Sequence, residues 1–190
     1  MNQIVWIRHA EKQYANHKGP IGCKQHDSPI QNTDSENERI KLRTLNLIDN
    51  YGIPDTIIYS PFLRVRQTMD KMNTIIKTVS DKHIEYLCDP DIGEFLGFQK
   101  PKGGLGDVEA TTSIYYPGKK VYLGESIDDL RNRVYKHLTK IKNKSGIVWV
   151  ITHGFVIKHI CETIKDMFDD EVKEVDEIGT LGSMNYQFHN

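Results

Sequence analysis

The chain has 190 residues, with 25 basic and 26 acidic side chains and a formal net charge of −1, so a bulk electrostatic grip on nucleic acid or an anionic membrane is not indicated. Cys23, Cys88 and Cys161 are far apart and outside any CxxC pattern; they read as thiols in a reducing compartment rather than a disulfide framework or a zinc knuckle. The length suits one domain, and with no leader-like amino terminus and no apolar run of membrane-spanning length the expectation is a single cytoplasmic domain over residues 1–190.

The chain opens on a short apolar run, Ile4-Val5-Trp6-Ile7, the pattern of a buried parallel strand. Arg8, His9 and Glu11 follow at its carboxyl end, where open α/β sheets bind their ligands. A polar loop then runs from Lys12 to Asp34. Ser35 with Glu38 gives a capping-box signal, predicting a helix to about Asn50 that buries Ile40, Leu45 and Ile48 and closes at Gly52 and Pro54. Thr56 to Tyr59 reads as a strand. After Ser60-Pro61, the stripe Val65, Met69, Met72, Ile76 and Val79 predicts a helix with Arg64 near its amino terminus.

Ile84 to Leu87 is a candidate third strand. From about 88 to 125, glycines and prolines interrupt every pattern, which reads as a loop or lid insertion over a site; Gly103-Gly104-Leu105-Gly106 has neither phosphate-loop nor dinucleotide spacing. Ser126 with Asp129 marks another helix start, carrying Ile127, Leu130, Val134, Leu138 and Ile141 on one stripe. Ile147 to Ile151 is a second fully apolar strand, ending in Thr152-His153-Gly154, and a helix follows from about Phe155 to Phe168. Ser183 to Phe188 alternates Met184, Tyr186 and Phe188 with polar residues, the reading expected of an edge strand. Strands alternating with helices predict an α/β three-layer sandwich, a mostly parallel central sheet flanked by helices.

In such a sheet parallel strands present their carboxyl ends together, so His9, Arg8, His153 and Arg64 converge in one crevice. Two imidazoles and two guanidiniums make an anion site suited to a phosphoryl group, with the helix start beside Arg64 adding its dipole. An imidazole at its centre can attack phosphorus and form a covalent intermediate. The neighbouring arginines are expected to lower the pKa of His9, and a carboxylic acid is needed to protonate the leaving oxygen. His17, His26, His83, His137, His159 and His189 show no metal-ligand spacing, so no metal is expected. Lys12, Lys24 and His26 default to surface charge, Arg66 and Arg133 to structural or solvated helix charges, and Glu11 to a partner for an arginine.

The motifs Ile-Arg-His-Ala-Glu at 7–11, Ser-Pro-Phe-Leu-Arg-Val-Arg-Gln-Thr at 60–68, Gly-Glu-Ser at 124–126 followed by Arg133, and Thr-His-Gly at 152–154 together resemble the histidine phosphatase superfamily. The likeness is to its phosphoglycerate-mutase-like branch, because His153 is followed by Gly154 and not by aspartate. The resemblance implies that His9 is the phosphorylated nucleophile, that Arg8, Arg64 and His153 hold the phosphoryl group, and that no cofactor is needed. It also implies a proton donor in a leucine-x-glutamate pattern, matched by Ile92-Gly93-Glu94, with Glu109 and Glu125 as substitutes for Glu94.

Two positions depart from the family pattern. Ala10 stands where a glycine is usual, and the first loop lacks the tryptophan-asparagine pattern of true mutases. The implied function is hydrolysis of a phosphomonoester through a phosphohistidine, on a small phosphorylated substrate or a phosphoprotein. The alternatives are mutase-type phosphoryl transfer and a non-catalytic phosphate-binding module.

Overall fold

Each apolar run of the sequence becomes a strand covered on both faces. The computed structural model describes residues 2–13, 27–95, 125–168, 174–175 and 180–188. Strands β1 (Asn2–Arg8), β2 (Thr56–Tyr59), β3 (Glu85–Cys88) and β4 (Gly146–Thr152) run parallel. The two-residue β5 (Glu174–Val175) pairs antiparallel with β6 (Ser183–Phe188), which pairs antiparallel with β1; the order across the sheet is β3-β2-β4-β1-β6-β5.

Helices α1 (Asp34–Tyr51) and α2 (Leu63–Val79) cover one face, and α3 (Ile127–Ile141) and α4 (Gly154–Phe168) the other. Alternation along β1 divides the core between them: Ile4 and Trp6 pack with Val148, Val150 and α3–α4, whereas Val5 and Ile7 pack with Trp149, Ile151 and α1–α2. This two-sided burial is why the runs are continuously apolar, and it makes the fold the three-layer sandwich read from the sequence.

Several boundaries differ from the sequence reading. The cap of α1 is Thr33, two residues before Ser35, with its hydroxyl accepting from the Glu36 N–H at 3.2 Å. Glu36 is buried and accepts the Glu11 N–H at 2.7 Å while pairing with Arg39 at 3.0 Å, so it ties α1 to the segment after β1. Thr44 and Leu47 join Ile40 on the inner face, and Leu45 and Ile48 are only partly buried. The inner stripe of α2 stops at Ile76, since Val79 is 51% exposed. The Ser126–Asp129 capping box forms as read. Strand β6 lies inside the sheet, not at its edge; its alternation reflects burial of Met184 and Tyr186 against the α3–α4 layer while Asn185 and Gln187 are less covered.

Among the described residues no helix is long and apolar enough to cross a membrane.

A polar network runs through the α3 layer. Trp6 Nε1 donates to His137 Nε2 at 3.3 Å, leaving the imidazole proton on Nδ1, which lies 2.9 Å from Asp89 Oδ2. Burial pushes the Asp89 carboxyl up, but the hydrogen bond and electrostatic pull of the His137 N–H, the Asp91 N–H and Lys140 outweigh it and hold it down at about 2. Because that value is depressed, the stability it contributes is present above the unfolded value near 4 and is lost as pH falls from about 4 to about 2. His137→Leu strands the Trp6 N–H and Asp89 Oδ2, leaving Asp89 Oδ1 with the Asp91 N–H and Lys140; a loss of about 2–4 kcal/mol is expected in urea unfolding, with a weaker dependence on pH in that window. Unchanged stability would show that the network is dispensable.

Candidate active site

Sheet register brings the site together. Arg8 of β1 lies opposite Thr152 of β4, and Tyr59 of β2 opposite Ile151, so His9, His153 and Ser60 leave the sheet side by side. The His9 and His153 rings sit 5.3 Å apart, edge to face. Arg64, the second residue of α2 and 2% exposed, reaches between them.

The Arg64 guanidinium is the hub. Its Nε donates to His9 Nε2 at 3.3 Å; its Nη2 donates to Glu94 Oε2 at 3.0 Å and lies 3.3 Å from His153 Nδ1. Phe62 supports it from below, with the guanidinium carbon 4.7 Å from the ring centroid and the same ring against His153 at 5.0 Å.

His9 Nδ1 lies 2.6 Å from the Ala10 carbonyl oxygen. A carbonyl can only accept, so Nδ1 carries the proton and Nε2 keeps its lone pair. Burial, then Arg64 and His153, hold the His9 pKa well below its ordinary value against the opposing pull of Ala10 and Glu94. The direction expected from the sequence is present, but burial leads and the arginine comes second. His153 is buried, which drops its pKa to about 4 despite Glu94 nearby. Its Nε2 meets the Ser60 hydroxyl at 2.8 Å and its Nδ1 lies 3.2 Å from Glu94 Oε2.

Arg8 lies across the start of α4. A Cβ on Gly154 would come within 3.1 Å of Arg8 Cδ and 3.2 Å of its Nε, so the glycine after His153 makes room for the arginine before His9. The added methyl of Ala10 is absorbed: Ala10 is fully buried in the layer of Val5, Ile7, Ile30 and Val65, and its N–H donates to Thr68 Oγ1 at 3.0 Å.

Glu94 follows a 3₁₀ turn at Pro90–Ile92, which Arg133 Nη1 and Thr152 Oγ1 fasten through the carbonyls of Asp91 and Ile92, both at 2.7 Å. Burial alone would raise its pKa, as a proton donor needs. Instead His153, Arg64 and His9 overcome burial and hold the carboxyl well below the ordinary range. Glu125 is occupied by a two-pronged pairing with Arg133 at 2.9 and 2.7 Å, and Glu109, Lys24 and His26 lie outside the described residues. Glu11 accepts from the Thr180 hydroxyl at 3.2 Å rather than serving an arginine. Lys12 is not plain surface charge: burial and then Arg64 lower its pKa.

Asp27 and Ser60 are site residues that sequence reasoning missed. Asp27 is 7% exposed, accepts the Leu63 N–H at 2.6 Å at the start of α2, and lies 3.9 Å from Arg64 Nη1. No local pattern joins residues 36 positions apart.

His9, Glu94 and His153 present ligand atoms within 4.8 Å of one another, a donor set a divalent metal would accept. Arg64 already places a fixed positive charge against all three, which suits an anion instead.

The family model for the histidine phosphatase superfamily, branch 1, matches residues 4–181. The chain belongs to that family. A search of curated proteins finds no match. Among solved structures, this histidine phosphatase is similar to a mutant phosphoserine phosphatase from Entamoeba histolytica in complex with phosphoserine, at 17% identity and TM-score 0.59 over 100% of this chain and 92% of that one. It is also similar to ecdysone phosphate phosphatase from Bombix mori in complex with tungstate, at 13% identity and TM-score 0.66 over 99% and 90% of the two chains. A third is a mycobacterial glucosyl-3-phosphoglycerate phosphatase, at 17% identity and TM-score 0.54 over 87% and 80%. At these identities the likeness concerns the fold, which is phosphoglycerate-mutase-like.

Proposed function

We propose that the chain hydrolyses a phosphomonoester without metal or cofactor, through a phosphohistidine at His9. The observation that carries this reading is the state of His9: proton fixed on Nδ1 by the Ala10 carbonyl, Nε2 unprotonated and facing the Arg64 guanidinium. Phosphoryl oxygens bind Arg8, Arg64 and His153. His9 Nε2 attacks phosphorus, the P–O ester bond breaks, and the leaving oxygen takes a proton from Glu94. Water then attacks the phosphohistidine, giving its proton to the Glu94 carboxylate and releasing inorganic phosphate.

Glu94 starts as a carboxylate paired to Arg64 and His153. An entering phosphoryl group draws those partners to its own oxygens and adds negative charge beside the carboxylate, and both changes raise the Glu94 pKa toward the donor's range. The neighbouring folds carry phosphatases for phosphoserine, ecdysone phosphate and glucosyl-3-phosphoglycerate. With leaving groups so varied, the choice among small phosphorylated substrates or a phosphoprotein rests on this chain's own residues.

The test is release of nitrophenol from para-nitrophenyl phosphate with EDTA present, together with trapping of a phosphoenzyme that survives base and is lost in acid, as a phosphoramidate is. Turnover with such a phosphoenzyme supports the reading. Tight phosphate binding without turnover sinks it in favour of a binding module.

A further inference from the structure

We propose that Asp27 is a direct ligand of the phosphoryl group, binding it as a neutral carboxylic acid that donates a hydrogen bond from Oδ2. The inference rests on the phosphoryl site proposed above and adds a residue to it.

The geometry singles out this carboxyl. Its Oδ1 is committed to the Leu63 N–H at 2.6 Å, in the first turn of α2, and lies 3.9 Å from Arg64 Nη1. Its Oδ2 is buried and meets no donor among the described residues. A buried carboxylate oxygen without a partner beside a guanidinium is an expensive arrangement unless a ligand completes it. The other nitrogens of Arg64 are directed elsewhere, Nε to His9 and Nη2 to Glu94 and His153. Asp27 therefore flanks the Nη1 side of the group that is to grip the phosphoryl oxygens.

Among the described residues the charged group that acts on Asp27 is Arg64 from α2; Arg64 in turn faces His9 from the end of β1, His153 from the end of β4 and Glu94 from the segment after the 3₁₀ turn, and it acts on Lys12 from the segment after β1. As a carboxylate, Asp27 would repel a phosphoryl dianion placed on Arg64. Once protonated, it offers that dianion an O–H donor. Burial already lifts its pKa to about 6 against the pull of Leu63 N–H and Arg64, and a dianion alongside lifts it further.

Anion binding is thus coupled to uptake of a proton at Asp27, and affinity falls by up to about tenfold per pH unit above the Asp27 pKa. The test uses sulfate, which stays a dianion between about pH 5.5 and 8, as a competitive inhibitor of nitrophenyl phosphate hydrolysis. Asp27→Asn keeps an oxygen for the Leu63 N–H and puts an NH₂ donor where the acid proton would be. The expected result is that log Ki for sulfate rises with pH in the wild type and that the variant's slope is lower by about one. Calorimetry of sulfate binding to the wild type and to Asp27→Asn in two buffers of different ionisation heat reads the same proton as the difference in uptake between the two proteins, since any proton taken up by Glu94 is common to both. Equal slopes in the two proteins, or equal proton uptake, would overturn the role of Asp27 alone. Failure of sulfate to compete with substrate in either protein would instead overturn the phosphoryl site.

Discussion

His9→Ala is expected to lower phosphate release by about 10⁴-fold or more, because covalent catalysis then has no nucleophile. No other described group in the site can stand in. His153 is the nearest imidazole, but its Nε2 is held at 2.8 Å by the Ser60 hydroxyl and its Nδ1 faces Glu94. Folding should survive the change. The His9 side chain makes one hydrogen bond to a neighbouring carbonyl and one to Arg64, and removing it leaves Arg64 with Glu94 still at 3.0 Å. The variant should therefore still bind phosphate while trapping no base-stable phosphoenzyme. Residual turnover above about a hundredth of wild type would mean that water attacks phosphorus directly and that His9 only binds.

The parts of this site that were legible in the sequence are those where an apolar run stops. Ile7 and Ile151 are the last buried hydrophobics of their strands, and His9 and His153 follow within two residues; a polar residue at the end of a doubly covered strand has few places to go but the crevice. Arg64 was legible from the stripe of α2, which fixed where the helix begins. Glu94 was reached only through the family resemblance. Its segment has no periodicity, and α3 holds it in place through Arg133, a contact that spacing does not encode.

The structure also reverses the simple expectation for that acid. A raised pKa is the usual mark of a proton donor, but here Glu94 pairs with Arg64 and His153, the groups proposed to hold the phosphoryl oxygens, so the shift runs downward. Asp27, Ser60 and the Trp6–His137–Asp89 network were invisible for a common reason: each joins residues far apart in sequence through isolated side-chain contacts. The edge-strand reading of β6 failed because alternation reports unequal burial of two faces, not position in the sheet.

Glu94→Gln separates the two duties assigned to that carboxyl. Glutamine keeps the size of the side chain and an oxygen for Arg64 Nη2, but it has no proton to give and cannot accept one. With an alkyl phosphate the leaving alkoxide is a strong base, so phosphoenzyme formation should slow by about 10²–10⁴-fold. Nitrophenolate leaves as a stable anion, so formation of the same intermediate from para-nitrophenyl phosphate should be little changed. Breakdown of the phosphohistidine still needs the carboxylate to take a proton from water, so the second step should slow for both substrates alike. Rapid mixing of the variant with the nitrophenyl ester should then show a burst of about one equivalent of nitrophenol followed by slow turnover, and no burst with the alkyl ester. Equal slowing of the first step for both esters would remove Glu94 from proton transfer and leave it a charge partner of Arg64.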